Sequence, residues 1–213
     1  MIMKLFSLSF LLILIHGVPA NSAFVRDADG DVVTSVGEYF IRYSGIGFSG
    51  GIGLSGWSRL TCPASVIQMS SEVDRGLPVN ITPLIQPRNF RPFAIYENAS
   101  VFINFPQYVT GCPNGEAYWH VDMSQVVGKF LVGAGELAPG PSSHFVIVPA
   151  GRENVYTLAI CPPIAGLKCL GLGIHRSLGQ DRLSVNDQPN DLAFTFSFVK
   201  KGAVGAIKKV TGA

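Results

Sequence analysis

Histidine, aspartate and serine are the side chains from which a catalytic or metal site would be built. In this chain of 213 residues their spacing does not converge on one. His16 lies in an apolar leader. His120, His144 and His175 are scattered over strand-like and turn-like stretches, without the i, i+4 spacing or the neighbouring Glu of a metalloprotease helix. No Gly-x-Ser-x-Gly elbow is read in the chain. Asp27, Asp29 and Asp31 alternate as in half of a calcium loop, but the loop length and the closing Glu are missing, and the triplet reads as a solvated turn. No enzyme, no metal and no cofactor is expected.

The stretch with the strongest individual character is Thr82–Pro92, TPLIQPRNFRP. Three prolines make it a poor helix and a poor central strand. It reads as a stiff, extended, exposed loop, and a loop held rigidly on a scaffold is usually held for presentation to a partner. Gly45–Gly56, GIGFSGGIGLSG, invites a dinucleotide-loop reading. No helix and no βαβ pattern follow it, so it reads as a flexible turn between two strands. Asn80-Ile81-Thr82 and Asn98-Ala99-Ser100 are glycosylation sequons, both placed on exposed loops; a glycan at Asn80 would shadow the neighbouring proline-rich stretch.

These stretches need a rigid frame, and the rest of the chain supplies the pattern for one. Glu38–Tyr43, Ser65–Met69, Ser100–Phe105, Ala117–Val121, Phe145–Val148, Val155–Ile160, Leu183–Val185 and Leu192–Val199 are strand-like runs. Leu60-Thr61 reads as a further strand leading into Cys62. Val101, Ile103 and Phe105 share one face, as do Phe194, Phe196 and Phe198. Many short strands between Gly, Pro, Asn and Asp clusters predict an all-β sandwich or barrel. No strong repeat is visible, although three blocks beginning near residues 24, 76 and 137 have similar strand content.

Residues 1–20 read as a secretory signal: Lys4, then an apolar run from Leu5 to Ile15 too short to span a membrane, then a small-residue exit at Ala20, with Ala23 as second choice. A secreted destination is expected, with the vacuole as the alternative. In an oxidising compartment the four cysteines read as two disulfides. Three pairings exist in principle. Cys161 and Cys169 are close enough to staple one hairpin, which leaves Cys62 with Cys112. Closing that 112 − 62 = 50 residue loop contributes about 4 kcal/mol in the chain-entropy model. Charge excludes a nucleic-acid partner. Without Lys4 and the C-terminal Lys200, Lys201, Lys208 and Lys209, the body carries 16 − 5 = 11 basic against 14 acidic residues, with no basic face. Residues 21–201 form the expected domain and 202–213 a flexible basic tail.

The ordered motifs carry a family likeness. They are Asp27-Ala28-Asp29-Gly30, Gly37-Glu38-Tyr39-Phe40-Ile41, Cys62-Pro63, Val66-Ile67-Gln68, Gly76-Leu77-Pro78-Val79, Trp119, Tyr156-Thr157-Leu158-Ala159-Ile160-Cys161-Pro162 and Arg182-Leu183-Ser184-Val185. With them the chain resembles the plant Kunitz-type (soybean trypsin inhibitor-like, miraculin-like) family over residues 24–199. The resemblance implies a β-trefoil of twelve short strands, a six-stranded barrel capped by three hairpins, and the same disulfide pairing. It implies inhibition of serine proteases by a substrate-like loop, here residues 82–92, with a target protease as partner, cysteine and aspartic proteases as alternatives, and a monomeric state. A non-inhibitory storage or miraculin-like role is the alternative function.

Counting forward from Gly76 places the specificity residue near Gln86; counting back from Cys112 places it near Asn89, with Pro87 and Arg88 between. Gln86 cannot pair with the carboxylate of a trypsin pocket, and Pro87 removes the N–H beyond its bond. Arg91 precedes Pro92 and has the same defect. Arg88–Asn89 is the only Arg bond of the loop not followed by proline. The family braces this loop with an Asn; Ser35 stands at that place, with a shorter side chain. These departures predict an altered target or lost trypsin inhibition on an intact fold.

Overall fold

The structure, a computed structural model, describes residues 23–45, 49–86, 92–126, 129–137, 140–161, 168–186 and 193–202. Twelve strands are present: β1 Tyr39–Tyr43, β2 Ile52–Leu54, β3 Ala64–Gln68, β4 Asn80–Pro83, β5 Ser100–Asn104, β6 Tyr118–Val126, β7 Lys129–Gly135, β8 Phe145–Pro149, β9 Tyr156–Ile160, β10 Leu170–Ser177, β11 Gln180–Val185 and β12 Thr195–Lys200. Every pairing is antiparallel. Following partners round the sheet gives β4–β5, β5–β8, β8–β9, β9–β12 and β12–β1, and a Tyr39–Val79 bridge returns β1 to the foot of β4. Six strands therefore close into a barrel, which leaves no free edge among them.

The other six strands form three hairpins, β2–β3, β6–β7 and β10–β11. One strand of each pairs with the next hairpin: β3 with β7, β7 with β11, β11 with β3. This triangle caps one barrel end. The chain is a β-trefoil of three units, β1–β4, β5–β8 and β9–β12. The units begin at residues 39, 100 and 156 rather than near 24, 76 and 137, because the N-terminal stretch and residues 84–99 are connections, not the first strand of a unit.

Period-2 alternation explains the core. The barrel strands, with Val79 just ahead of β4, turn apolar residues inward in pairs: Tyr39 and Ile41, Val79 and Ile81, Val101 and Ile103, Phe145 and Ile147, Tyr156 and Leu158, Phe196 and Phe198, all buried. Trp119 from β6 sits among them, its ring 5.4 Å from Phe105 and edge-on to Phe145 at 6.2 Å. Aromatic pairs in such geometry add about 0.5–1.5 kcal/mol beyond their buried area.

Two expectations fail. Ser58–Leu60 is a 3-10 turn, so Leu60-Thr61 is not a strand. The glycine-rich stretch is not merely a turn, because Ile52–Leu54 is a buried cap strand. Its glycines serve close approach. A Cβ on Gly51 would lie 1.9 Å from the Arg75 carbonyl oxygen, and Gly76, at φ 71°, packs equally tightly on Ile52. Only hydrogen fits there. The signal at 1–20 and most of the 202–213 tail lie outside the described residues.

Candidate functional site

The Thr82–Pro92 stretch begins inside β4 and leaves the barrel end opposite the cap, where units one and two join. Its rising arm is fixed by the β4–β5 ladder, in which Pro83 faces Val101, and by the Leu84 N–H donating to the Ser100 carbonyl at 2.9 Å. Its falling arm is fixed by the N-terminal segment. The Phe93 N–H donates to Ser35 Oγ at 3.1 Å, and the Ser35 N–H donates back to the Phe93 carbonyl at 2.9 Å. Ala94 bridges Thr34, and Tyr96 bridges Phe24. Ile95 is buried between Val25 and Val33; the three backbones exchange hydrogen bonds in a ring, Val25 to Ile95, Ile95 to Val33 and Val33 to Val25, each 2.9 Å.

The N-terminal segment is itself tied to the barrel. The Tyr39 hydroxyl accepts from the Thr34 N–H at 3.0 Å, and the Tyr156 hydroxyl accepts from the Arg26 N–H at 2.8 Å. Burial pushes the Tyr156 hydroxyl above its ordinary pKa, against the opposing pull of that hydrogen bond. Asp27 belongs to the same frame. It is buried, and its Oδ1 accepts the N–H groups of Asp29 and Asp31 at 3.0 Å each. The Asp triplet is thus a turn built by one carboxylate. Among the described residues no three His, Cys, Asp or Glu side chains converge as metal ligands.

At the two ends of this stretch the described residues face solvent. Ile85 is 85 % exposed, and Leu84, Gln86 and Pro92 are exposed as well. Pro87, Arg88 and Asn89 lie outside the described residues. Beneath the arms runs a groove of about 530 Å³, walled chiefly by Phe24, Leu84, Ile85, Phe93 and Tyr96.

Both disulfides have the expected pairing. Cys62–Cys112 joins the run into β3 to the β5–β6 connection, and Cys161–Cys169 closes the β9–β10 hairpin, where Ile160 faces Leu170. The two sequons differ. Asn98 is exposed in a turn at φ 59°. Asn80 is not on an exposed loop: it is half-buried in β4, and its Nδ2 donates to the Gly37 carbonyl at 2.9 Å. Gly47-Phe48-Ser49-Gly50-Gly51 has the spacing of a nucleophile elbow, which the sequence reading passed over. The chain beyond it enters a strand instead of a helix, so Ser49 is not presented as a nucleophile.

The family described as trypsin and protease inhibitor, the legume Kunitz family, matches residues 25–200. Kunitz trypsin inhibitor 4 of Arabidopsis thaliana is 29 % identical over 192 residues, 84 % of this chain and 86 % of the relative. The 21 kDa seed protein of Theobroma cacao is 29 % identical over 206 residues, 91 % and 87 % of the two chains. Soybean trypsin inhibitor, solved in complex with porcine pancreatic trypsin, superposes with a TM-score of 0.62 at 24 % identity, covering 84 % of this chain and 99 % of that one. The chain therefore belongs to the Kunitz-type family of trypsin and protease inhibitors.

Proposed function

We propose that this chain is a secreted inhibitor of serine proteases that presents residues 84–92 to the target's cleft. The observation that carries the reading is the anchoring of both arms. Leu84 is held to Ser100 and Phe93 to Ser35 by hydrogen bonds of their backbones, while Ile85 and Gln86 beyond the rising arm are exposed. A segment held extended before binding loses little conformational entropy in the complex, which favours tight binding. Ser35 acts as the brace of the falling arm. Gln86 is neutral and followed by Pro87, so the segment suits an apolar or shallow specificity pocket better than an acidic one; Arg88–Asn89 is its one bond suited to trypsin. Asn98, with its exposed side chain, is the better glycan acceptor of the two sequons.

Residual-activity assays with trypsin, chymotrypsin, subtilisin, papain and an aspartic protease test the reading. Inhibition of at least one serine protease is expected, with any inhibition of trypsin abolished selectively by Arg88→Ala. Silence of the whole panel overturns the reading. It would favour a storage or miraculin-like role; the cacao relative is named as a seed protein.

A further inference from the structure

We propose that the cap end carries a second binding site, for a terminal residue of a neutral oligosaccharide. It is independent of the protease reading, because the cap hairpins and the arms at Leu84 and Phe93 lie at opposite ends of the barrel. Where the three hairpins meet, a groove of about 530 Å³ opens to solvent, a volume within the roughly 300–1,000 Å³ of small-ligand sites. Its floor and walls combine Ser65 of β3, Asp122 of β6 and Gln180 and Arg182 of β11, with Trp57 and Leu178 beside them.

Two features of the rim are not explained by burial. Trp57 is 70 % exposed, although large aromatic rings gain most when buried. Leu178 occupies the tight β10–β11 turn at φ 51°, followed by Gly179 at φ 74°. Left-handed φ at both central positions is the geometry that favours Asn-Gly. A leucine is strained there, and at 84 % exposure it buries little in return. Strain retained by a side chain so little buried points to an external contact.

The floor supplies a third observation. Arg182 donates through Nη2 to Ser65 Oγ, but its Nε is buried without an acceptor. Arg182 thus brings guanidinium donors to the groove beside the Asp122 and Gln180 side chains. Arg182 and Asp122 balance each other in charge, which gives an anion no electrostatic advantage over a polyol. A pyranose fits the set. Its C–H face lies against Trp57 and Leu178, and its hydroxyls accept from Arg182 and pair with the planar groups of Asp122 and Gln180.

The chain has two tryptophans, and Trp119 is 1 % exposed, so acrylamide-quenchable emission reports on Trp57. The full mature protein is titrated with chitotriose, cellotriose, maltotriose and mannotriose. At least one is expected to shift the Trp57 emission to the blue and to protect it from acrylamide. Arg182→Gln is expected to weaken that response about tenfold. Leu178→Asn, which suits the turn and keeps the fold, is expected to weaken it as well. Absence of any response to the four sugars, or a response unchanged in both variants, overturns the proposal.

Discussion

The connection between units one and two and the connection between units two and three occupy the same place in the threefold scaffold. Residues 150–155 make the second a tight turn: the Ala150 N–H donates to the Val155 carbonyl at 2.9 Å, Gly151 and Asn154 take left-handed φ of 73° and 52°, and the β8–β9 ladder begins at once with Pro149 opposite Tyr156. The connection over residues 84–99 is a long one whose described return leans on the N-terminal segment, through Ser35, Thr34, Val33 and Phe24, before the Asn98 N–H reaches the Ile147 carbonyl of β8. The barrel tolerates both, since closure entropy grows slowly with loop length. The comparison teaches that the repeated part of this fold supplies stiffness, while the departures from its symmetry supply surfaces for partners.

Making the two connections alike is the strongest test. With both arms kept and residues 85–91 replaced by a Gly/Ser linker of equal length, the barrel should melt within a few degrees of the parent. Protease inhibition should fall by about 10³-fold or more, the scale of losing a binding hot spot. Retained inhibition in the panel would move the inhibitory surface elsewhere.

Next in size are the disulfides, one spanning the long connection in sequence and one closing a short hairpin beyond the tight turn. Replacing Cys62 and Cys112 by serine should cost about 4 kcal/mol and replacing Cys161 and Cys169 about 2.5 kcal/mol, from sequence separations of 50 and 8, as read by urea denaturation under non-reducing conditions. Equal losses would break the chain-entropy account.

A smaller effect is expected from Ser35→Ala. The Phe93 N–H loses its acceptor, stability drops by about 1 kcal/mol, and amide exchange at Phe93 accelerates while exchange in the 150–155 turn stays unchanged. Leu178→Asn should act in the opposite direction, raising stability by about 1 kcal/mol by relieving a left-handed leucine.

The smallest effect is a pH dependence. Burial holds the Tyr156 hydroxyl above its ordinary value of 10.0, so the folded chain keeps that proton longer than the unfolded one. The associated stability is complete below pH 10 and is lost as pH rises through the folded value. Tyr156→Phe should flatten the alkaline decline of the melting temperature, at a neutral-pH cost of about 1 kcal/mol for the orphaned Arg26 N–H. An alkaline slope unchanged in the variant would assign it to another group.

Much of the barrel was legible in the chain because its strands obey a local rule. Val101, Ile103 and Phe105 alternate, as do Phe194, Phe196 and Phe198, and all six are buried. The cap was harder to read. β2 and β7 contain glycines where alternation expects side chains, because other segments approach there: a Cβ on Gly133 would lie 2.8 Å from Pro63 Cβ, and one on Gly135 2.8 Å from Cys112 Sγ. β10, LGLGIHRS, hides its pattern in the same way. The proline-rich segment was visible as an exposed stretch, and Ser35 as its brace through family likeness. That Phe93 is the residue Ser35 holds was not visible.

The sequence by itself determined what depends on neighbours along the chain: alternating strands, turn residues, the cysteine spacings and a segment too rich in proline to be helix or central strand. Tertiary structure alone decided which distant residues meet. Barrel closure brings residue 35 to residue 93, and the cap triangle gathers Trp57, Asp122, Leu178 and Arg182 around one groove. The physical reason is that strand pairing is set by which edges remain unpaired once the core has closed, and local periodicity carries no record of that.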